Sequence, residues 1–174
     1  MTNARRREPP RSNRRRLFHF VREITMEAIL FTGIQATGKT TLYRERFFRT
    51  HVRISLDLLR TRHREAAFLD ACLATQQPFV VDNTNPARVD RARYITAARR
   101  AGFRVVSYYF SSQIGPALAR NRERTGKERI PEPGVLGTYG RLEPPSRDEG
   151  FDAMFFVRMH ESGFAVEEWR DEAR

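Results

Sequence analysis

Gly33-Ile34-Gln35-Ala36-Thr37-Gly38-Lys39-Thr40 is the stretch on which the fold turns. It fits GxxxxGK[ST], the pattern of a phosphate-binding loop. Glycines at both ends let the backbone curl so that successive N–H groups face an anion. A helix beginning at the loop adds the positive end of its dipole. In this reading Gly33 to Thr41 form the nucleotide cradle, Lys39 reaches the β- and γ-phosphates, and the Thr40 hydroxyl ligates Mg²⁺. The flanks agree. Ala28-Ile29-Leu30-Phe31-Thr32 is an apolar run of the kind a buried strand needs. Thr41 to Phe48 then reads as a helix, with Leu42, Phe47 and Phe48 facing the core.

Composition supports the loop. Of 32 Lys plus Arg, only Lys39 and Lys127 are lysine. A chain that otherwise uses arginine keeps a lysine where a compact ammonium fits between phosphates. At 174 residues the chain is expected to form one catalytic domain. The net charge of +11 is uneven: residues 1–25 carry eight Arg and two Glu, so the other residues carry only +5. That mildly basic body is compatible with an anionic substrate. A single cysteine, Cys72, excludes an internal disulfide and a Cys-rich metal site, and is expected to be an inert core residue. No apolar run approaches the length of a membrane span.

Residues 1–25, with Arg5-Arg6-Arg7, Pro9-Pro10 and Arg14-Arg15-Arg16, read as a disordered basic appendage. It can be a nucleic-acid-binding arm, a targeting segment, or a stretch outside the functional protein. The last is favoured because Met26 stands directly before the first strand, and mass spectrometry of the native N-terminus checks it. The kinase domain is expected over 26–170.

Val52-Arg53-Ile54-Ser55 reads as a second strand. Asp57 and Arg60 follow at the start of a helical stretch running to about Thr75, which would put both on one helix face. A carboxylate there can accept a proton from a hydroxyl, and an arginine beside it can hold a phosphate; an exposed ion pair is the alternative. Pro78 to Asp82 is a third strand ending in a carboxylate, the form of an element whose Asp contacts Mg²⁺ directly or through water. Asn85 is expected to cap the next helix with Pro86 at its first position. That helix runs from about Ala87 to Arg100, with Tyr94, Ile95, Ala97 and Ala98 inward. Arg88, Arg91, Arg93, Arg99 and Arg100 fall mostly outward. Arg88 lies near enough to the strand end to reach a substrate. Gly102 ends the helix. Phe103 to Phe110 is the fourth strand. A basic helix with Arg120, Asn121, Arg122 and Arg124, then a Gly- and Pro-rich region to Gly150, occupies the place of a lid at about 112–142. Its arginines would hold charge on a transferring phosphoryl group. Phe151 to Met159 is a fifth strand; Phe164 to Trp169 reads equally as strand or helix.

From Ala28 to about Met159 the chain resembles the kinase module of polynucleotide 5′-kinases of animal, phage and bacterial types. The likeness lies in the P-loop, Asp57-x-x-Arg60, and Val81-Asp82-Asn83-Thr84-Asn85-Pro86 with Arg91, Tyr94 and Gly102. It continues in Asn121-Arg122-x-Arg124 and Glu149-Gly150-Phe151. The resemblance implies a cytoplasmic ATP- and Mg²⁺-dependent kinase with a nucleic-acid 5′ end as acceptor. Asp57 would be the general base and Arg60 would position the acceptor or the transferring phosphate. Lys39 and Thr40 would hold ATP and metal, and Asp82 would organise the metal's water shell. Arg120, Arg122 or Arg124 would be the lid cations, and Asn85 and Arg88 would join the acceptor site. The chain carries no DxDGT phosphatase motif and no obvious aromatic-and-basic stripe for stacking bases; Tyr139 and Arg141 are the available lid-region contacts.

The expected architecture is therefore an α/β P-loop NTPase sandwich of three layers. It has a parallel sheet of about five strands, helices on both faces and an Arg-bearing helical lid. Two other functions fit the same pattern: a small-molecule kinase acting on a nucleoside, sugar or antibiotic, and a non-kinase nucleotide switch or nucleic-acid-binding ATPase. Asp57 beside Arg60 weighs against the switch, which needs no base for an acceptor.

Overall fold

The computed structural model describes residues 26–169; the basic appendage expected over residues 1–25 lies outside the described residues. β1 (Glu27–Thr32) sends Ala28 and Leu30 to one face of the sheet and Ile29 and Phe31 to the other, and all four are buried. A strand covered on both faces has no wet side, which is why its sequence is an unbroken apolar run. β1 pairs in parallel with β3 (Phe79–Val81) on one side and β4 (Arg104–Phe110) on the other. β2 (Val52–Ile54) lies outside β3, and β5 (Ala153–His160) outside β4. The sheet order is β2-β3-β1-β4-β5-β6, with β6 (Gly163–Glu168) antiparallel to β5. The five parallel strands expected are present, and the ambiguous terminal segment is a sixth, antiparallel one. β5 starts at Ala153; Phe151 ahead of it is a core residue.

Helices fill both outer layers. α1 (Lys39–Arg46) lays Leu42 and Tyr43, with Phe47 beyond its end, on Ile29, Phe31 and Val80. Phe48, expected in this core, is 69% exposed, because the helix ends at Arg46 and Phe48 turns outward. On the opposite face α3 (Arg62–Ala74) contributes Leu69 and Cys72, and α4 (Arg88–Arg100) contributes Tyr94, Ile95 and Ala98. Cys72 is a free, buried thiol, its pKa pushed up by burial.

Two sequence expectations are corrected on this second face. The helical stretch from Asp57 is broken: α2 covers only Leu56–Leu59, and Arg60 takes a left-handed conformation at φ 71°. Thr61 then caps α3, its Oγ1 accepting the Arg64 N–H at 3.2 Å. Asp57 and Arg60 therefore do not share a helix face. Likewise α4 starts at Arg88 with Ala87 before it, and neither Asn85 nor Pro86 takes the expected capping position. Gly102 does end α4, at φ 81°, with the Phe103 N–H bonded back to Ala98 O.

Arg91, expected mostly on the solvent side, is fully buried. Its Nε and Nη2 each lie 2.7 Å from one oxygen of Glu149, and its Nη1 donates to the carbonyls of Asn85, Pro86 and Glu143. This fork joins α4 to the turn after β3 and to the turn Arg147–Glu149 before β5. Removing one member of a buried pair leaves the other charge uncompensated. Arg91→Ala should cost about 3–5 kcal/mol in urea unfolding, whereas Arg122→Ala, which breaks an exposed pair with Glu132, should leave the midpoint unchanged.

Candidate active site

The P-loop crosses from β1 to α1 and is pinned at its start by both neighbouring strand ends. The Gly33 N–H donates to Thr84 O beyond β3, and the Ile34 N–H to Ser112 Oγ beyond β4. A side chain at Gly33 would meet Phe110 Cβ at 2.9 Å. Gly38, at φ 87°, faces the Phe164 ring and Met159 Sδ of the β5–β6 hairpin at 2.8–3.0 Å from where a Cβ would stand, so the hairpin closes the loop's outer side. Ile34 is buried among Ala117 and Val135 of α5 (Ile114–Glu123) and α6 (Glu132–Gly140), and Gln35 Nε2 donates to Thr138 Oγ1. Ile34 and Gln35 thus use their side chains to dock the loop. Ala36 sits at φ 59°, a costly conformation for a residue with a Cβ. The Thr37 hydroxyl donates to Ile34 O, closing the loop on itself. The N–H groups of Lys39, Thr40 and Thr41 open α1 and have no helical acceptor; Leu42 is the first to donate back, to Gly38 O.

Lys39 folds over this loop. Its Nζ donates to Gly33 O at 2.9 Å and Ile34 O at 2.6 Å. Burial lowers its pKa to about 8, with Arg124 adding to the fall and Asp82 and Asp57 opposing it.

Because β3 lies directly beside β1, Asp82 arrives next to the loop's last residue. The Thr40 hydroxyl donates to Asp82 Oδ2 at 2.8 Å. Asp82 is buried and its Oδ1 has no hydrogen-bond partner. A hydroxyl, a carboxylate and an orphaned carboxylate oxygen are hard donors that suit Mg²⁺, which takes few protein ligands and completes its shell with phosphate and water. Sequence reasoning missed Arg53. Its Nε lies 2.7 Å from Asp82 Oδ2, and its Nη2 3.1 Å from Thr40 Oγ1. The signal was a lone charge in an apolar strand whose neighbours face the core.

Asp57, in the first turn of α2, is exposed and close enough to Lys39 to act on its charge. Its helix is anchored by Asn83, whose Oδ1 accepts the Leu56 N–H at 2.8 Å. Asn83 Nδ2 donates in turn to Glu65 Oε1 at 2.6 Å and to the Tyr94 hydroxyl. Glu65 is buried on α3, which nothing in the helical pattern announced. Burial alone would lift its pKa; hydrogen bonds from Arg62, Tyr94 and Asn83 outweigh it and hold the carboxyl below the usual range. The Tyr94 phenol is pushed up to about 12 by burial and by the bond to Glu65. Arg60 is exposed, at the left-handed kink.

The remaining expected site residues divide. Arg120 Nε donates to Ala36 O at 2.7 Å, and its pKa is lowered by burial and by Arg124. Arg124, the extended residue just beyond the end of α5, lies close enough to Lys39 and Arg120 to act on their charges. Arg122 turns the other way, onto Glu132 at 2.7 Å. Asn85 is buried and its amide donates to Phe31 O, so it braces the end of β1. Arg88 is paired with Asp148 at 2.9 Å, outside the cleft residues. Tyr139 and Arg141 are exposed near the end of α6. A cavity of about 310 Å³ opens beside the loop, lined by Thr37, Gln113, Arg120, Arg158 and Met159 among others.

Comparison with known proteins agrees with this fold. The profile of the family described as "AAA domain" matches residues 29–142, from β1 through α6. The chain belongs to the AAA domain family. This AAA domain is similar to the bifunctional polynucleotide phosphatase/kinase of Schizosaccharomyces pombe, 24% identical over 140 residues that make up 77% of this chain and 34% of that protein. It spans about a third of that relative's length. Among solved structures, Kti12 of Chaetomium thermophilum in complex with ADP-AlF3 superposes with a TM-score of 0.59 at 18% identity, covering 78% of this chain and 92% of that one. A gluconokinase from Sinorhizobium meliloti 1021 gives a TM-score of 0.55 at 18% identity, covering 76% and 82%. At such identities the likeness is one of fold, and the fold is the kinase-type P-loop α/β architecture.

In this AAA domain Lys39 must carry its proton to hold a phosphate, and a bound phosphate raises the pKa that burial has lowered. Nucleotide binding should therefore take up a proton near and above pH 8, and affinity should weaken as pH rises past that value. Calorimetry in buffers of different ionisation enthalpy checks this: uptake is expected at pH 8.5, little at pH 6.5, and none in Lys39→Met.

Proposed function

We propose that this protein transfers the γ-phosphoryl group of ATP to a hydroxyl, and that the acceptor is the 5′-hydroxyl of a polynucleotide. The observation that carries the reading is Asp57. Its exposed carboxylate stands beyond the end of β2, on a helix held by Asn83, within electrostatic reach of Lys39. A nucleotide switch has no use for a carboxylate so placed. The likeness to the S. pombe polynucleotide phosphatase/kinase supports the choice of acceptor, together with the exposed Arg60 three residues on.

In this reading the cavity beside Thr37 and Arg120 takes the nucleoside half of ATP, and the loop takes the phosphates. Mg²⁺, held by Thr40 and Asp82, would neutralise charge on the β- and γ-oxygens. Asp57 accepts the acceptor's proton as the hydroxyl oxygen bonds to the γ-phosphorus and the bond to the β-phosphate oxygen breaks, leaving ADP. Lys39, Arg120 and Arg124 hold the charge on the transferring group, and α5–α6 is the lid that carries the two arginines. Arg60 positions the acceptor strand.

The test is a γ-labelled ATP assay with single-stranded DNA, RNA and a panel of nucleosides and sugars. Label on oligonucleotide 5′ ends is expected, with an acceptor KM that rises steeply with salt. Label on a small molecule alone assigns a small-molecule kinase, and label only in free phosphate assigns a switch or ATPase. Asp57→Asn should lower turnover by about a hundredfold or more while nucleotide binding survives; full activity in that variant removes Asp57 as the base.

A further inference from the structure

Arg53 is a cleft cation that the reading above does not use. It sits on β2 between Val52 and the buried Ile54, facing the α1 side of the sheet. Its Nε and Nη2 each approach Asp82 Oδ2 at 2.7 Å, and Nη2 also donates to Thr40 Oγ1 at 3.1 Å. Both oxygens belong to the residues assigned to the metal, and Arg53 leaves only Asp82 Oδ1 of that set without a partner. Asp82 is 1% exposed at its side chain, and a buried carboxylate needs a counter-charge. Arg53 supplies it when nothing else does.

A magnesium ion bonds oxygen at about 2.1 Å. Bonded to Thr40 Oγ1, it would stand in like-charge contact with a guanidinium nitrogen on that same oxygen. The two cations exclude one another. Arg53 has somewhere to go: its side chain is 23% exposed, and its guanidinium carbon already lies 5.9 Å from the Tyr43 ring centroid, a second partner for its charge. A metal ion entering the cleft without nucleotide would also meet the charges of Lys39 and Arg124 with no phosphate to offset them.

We propose that Arg53 is the resident cation of the metal position, and that a divalent metal enters only with nucleotide, displacing the Arg53 guanidinium from Thr40 and Asp82. This rests on the reading of Thr40 and Asp82 as metal ligands. Its consequence is an order of binding: metal alone is kept out, and the arriving phosphates supply the charge that lets the exchange occur.

The test uses Mn²⁺ as probe, followed by the loss of its free electron paramagnetic resonance signal, on the full chain without nucleotide. Arg53→Gln should bind Mn²⁺ at least about tenfold more tightly than the parent protein, and the gain should vanish in Arg53→Gln/Asp82→Asn. Arg53→Lys, with a shorter reach and no fork, should give a smaller gain and serves if the glutamine variant fails to fold. Mn²⁺ alone should raise the melting temperature of the Arg53 variants and not of the parent. Equal Mn²⁺ affinity in the parent and both Arg53 variants overturns the proposal. If Asp82→Asn also leaves Mn²⁺–ADP binding unchanged, the assignment of the metal ligands falls with it.

Discussion

The cleft depends on β3 lying directly against β1. The register sets Leu30 opposite Val81, so Asp82 emerges one residue beyond the end of β3, level with the end of β1, where the P-loop departs. Thr40 opens α1 on the same side, and its hydroxyl closes on Asp82 at 2.8 Å. Adjacent strands stand about 4.8 Å apart. One more strand inserted between these two would take the carboxylate out of direct reach of Thr40. Strand order is thus a chemical property of this protein: it decides that the loop hydroxyl and the buried carboxylate form one oxygen-donor pair.

The four residues after β3 extend that effect, each holding a different part of the site. Asp82 holds Thr40 and Arg53. Asn83 reaches sideways to the Leu56 N–H, fixing the short helix that presents Asp57. Thr84 offers its carbonyl to the Gly33 N–H, the first bond of the loop. Asn85 turns back at φ 42° and ties its amide to Phe31 O. Behind them, Arg91 takes the carbonyls of Asn85 and Pro86 and joins them to Glu149. A turn with so many obligations cannot shift without moving the P-loop, the Thr40–Asp82 pair and the helix of Asp57 together.

Much of this was legible in the sequence, for reasons that differ by residue. The loop was legible because its glycines and lysine answer to backbone geometry and charge, which are local. The parallel strands were legible because burial on both faces leaves an apolar run. The break at Arg60 was hidden: nothing in Leu58-Leu59-Arg60-Thr61 forbids a continuing helix, and only the Thr61 cap, read as a start signal, hints at a new one. Arg91 and Glu65 were hidden because a buried charge looks like a surface charge until its partner is known, and Glu149 is 58 positions from Arg91. The lid arginines were only partly legible: Arg120 and Arg122 lie two apart on α5 and so point different ways, but Arg124 falls just past the helix end, which the sequence does not fix.

The same geometry braces the loop through the side chains around it. Lys39 spends its charge on the carbonyls of Gly33 and Ile34, Arg120 on that of Ala36, and Arg53 on Asp82. Each cation is parked on an oxygen of the site itself. Asn121 clamps the Ile130 backbone with both ends of its amide, and Ile34 plugs the apolar contact between α5 and α6. The arginines are therefore carried on a segment already docked to the loop, and no large closure is required to bring them there. Under the proposed function, an incoming polyphosphate would offer Lys39 and Arg120 phosphate oxygens in place of carbonyls, where a charge-assisted bond is stronger. Of these cations Lys39 and Arg120 are held by backbone oxygens of the loop, in a conformation its glycines permit, and Arg53 by the buried carboxylate of Asp82.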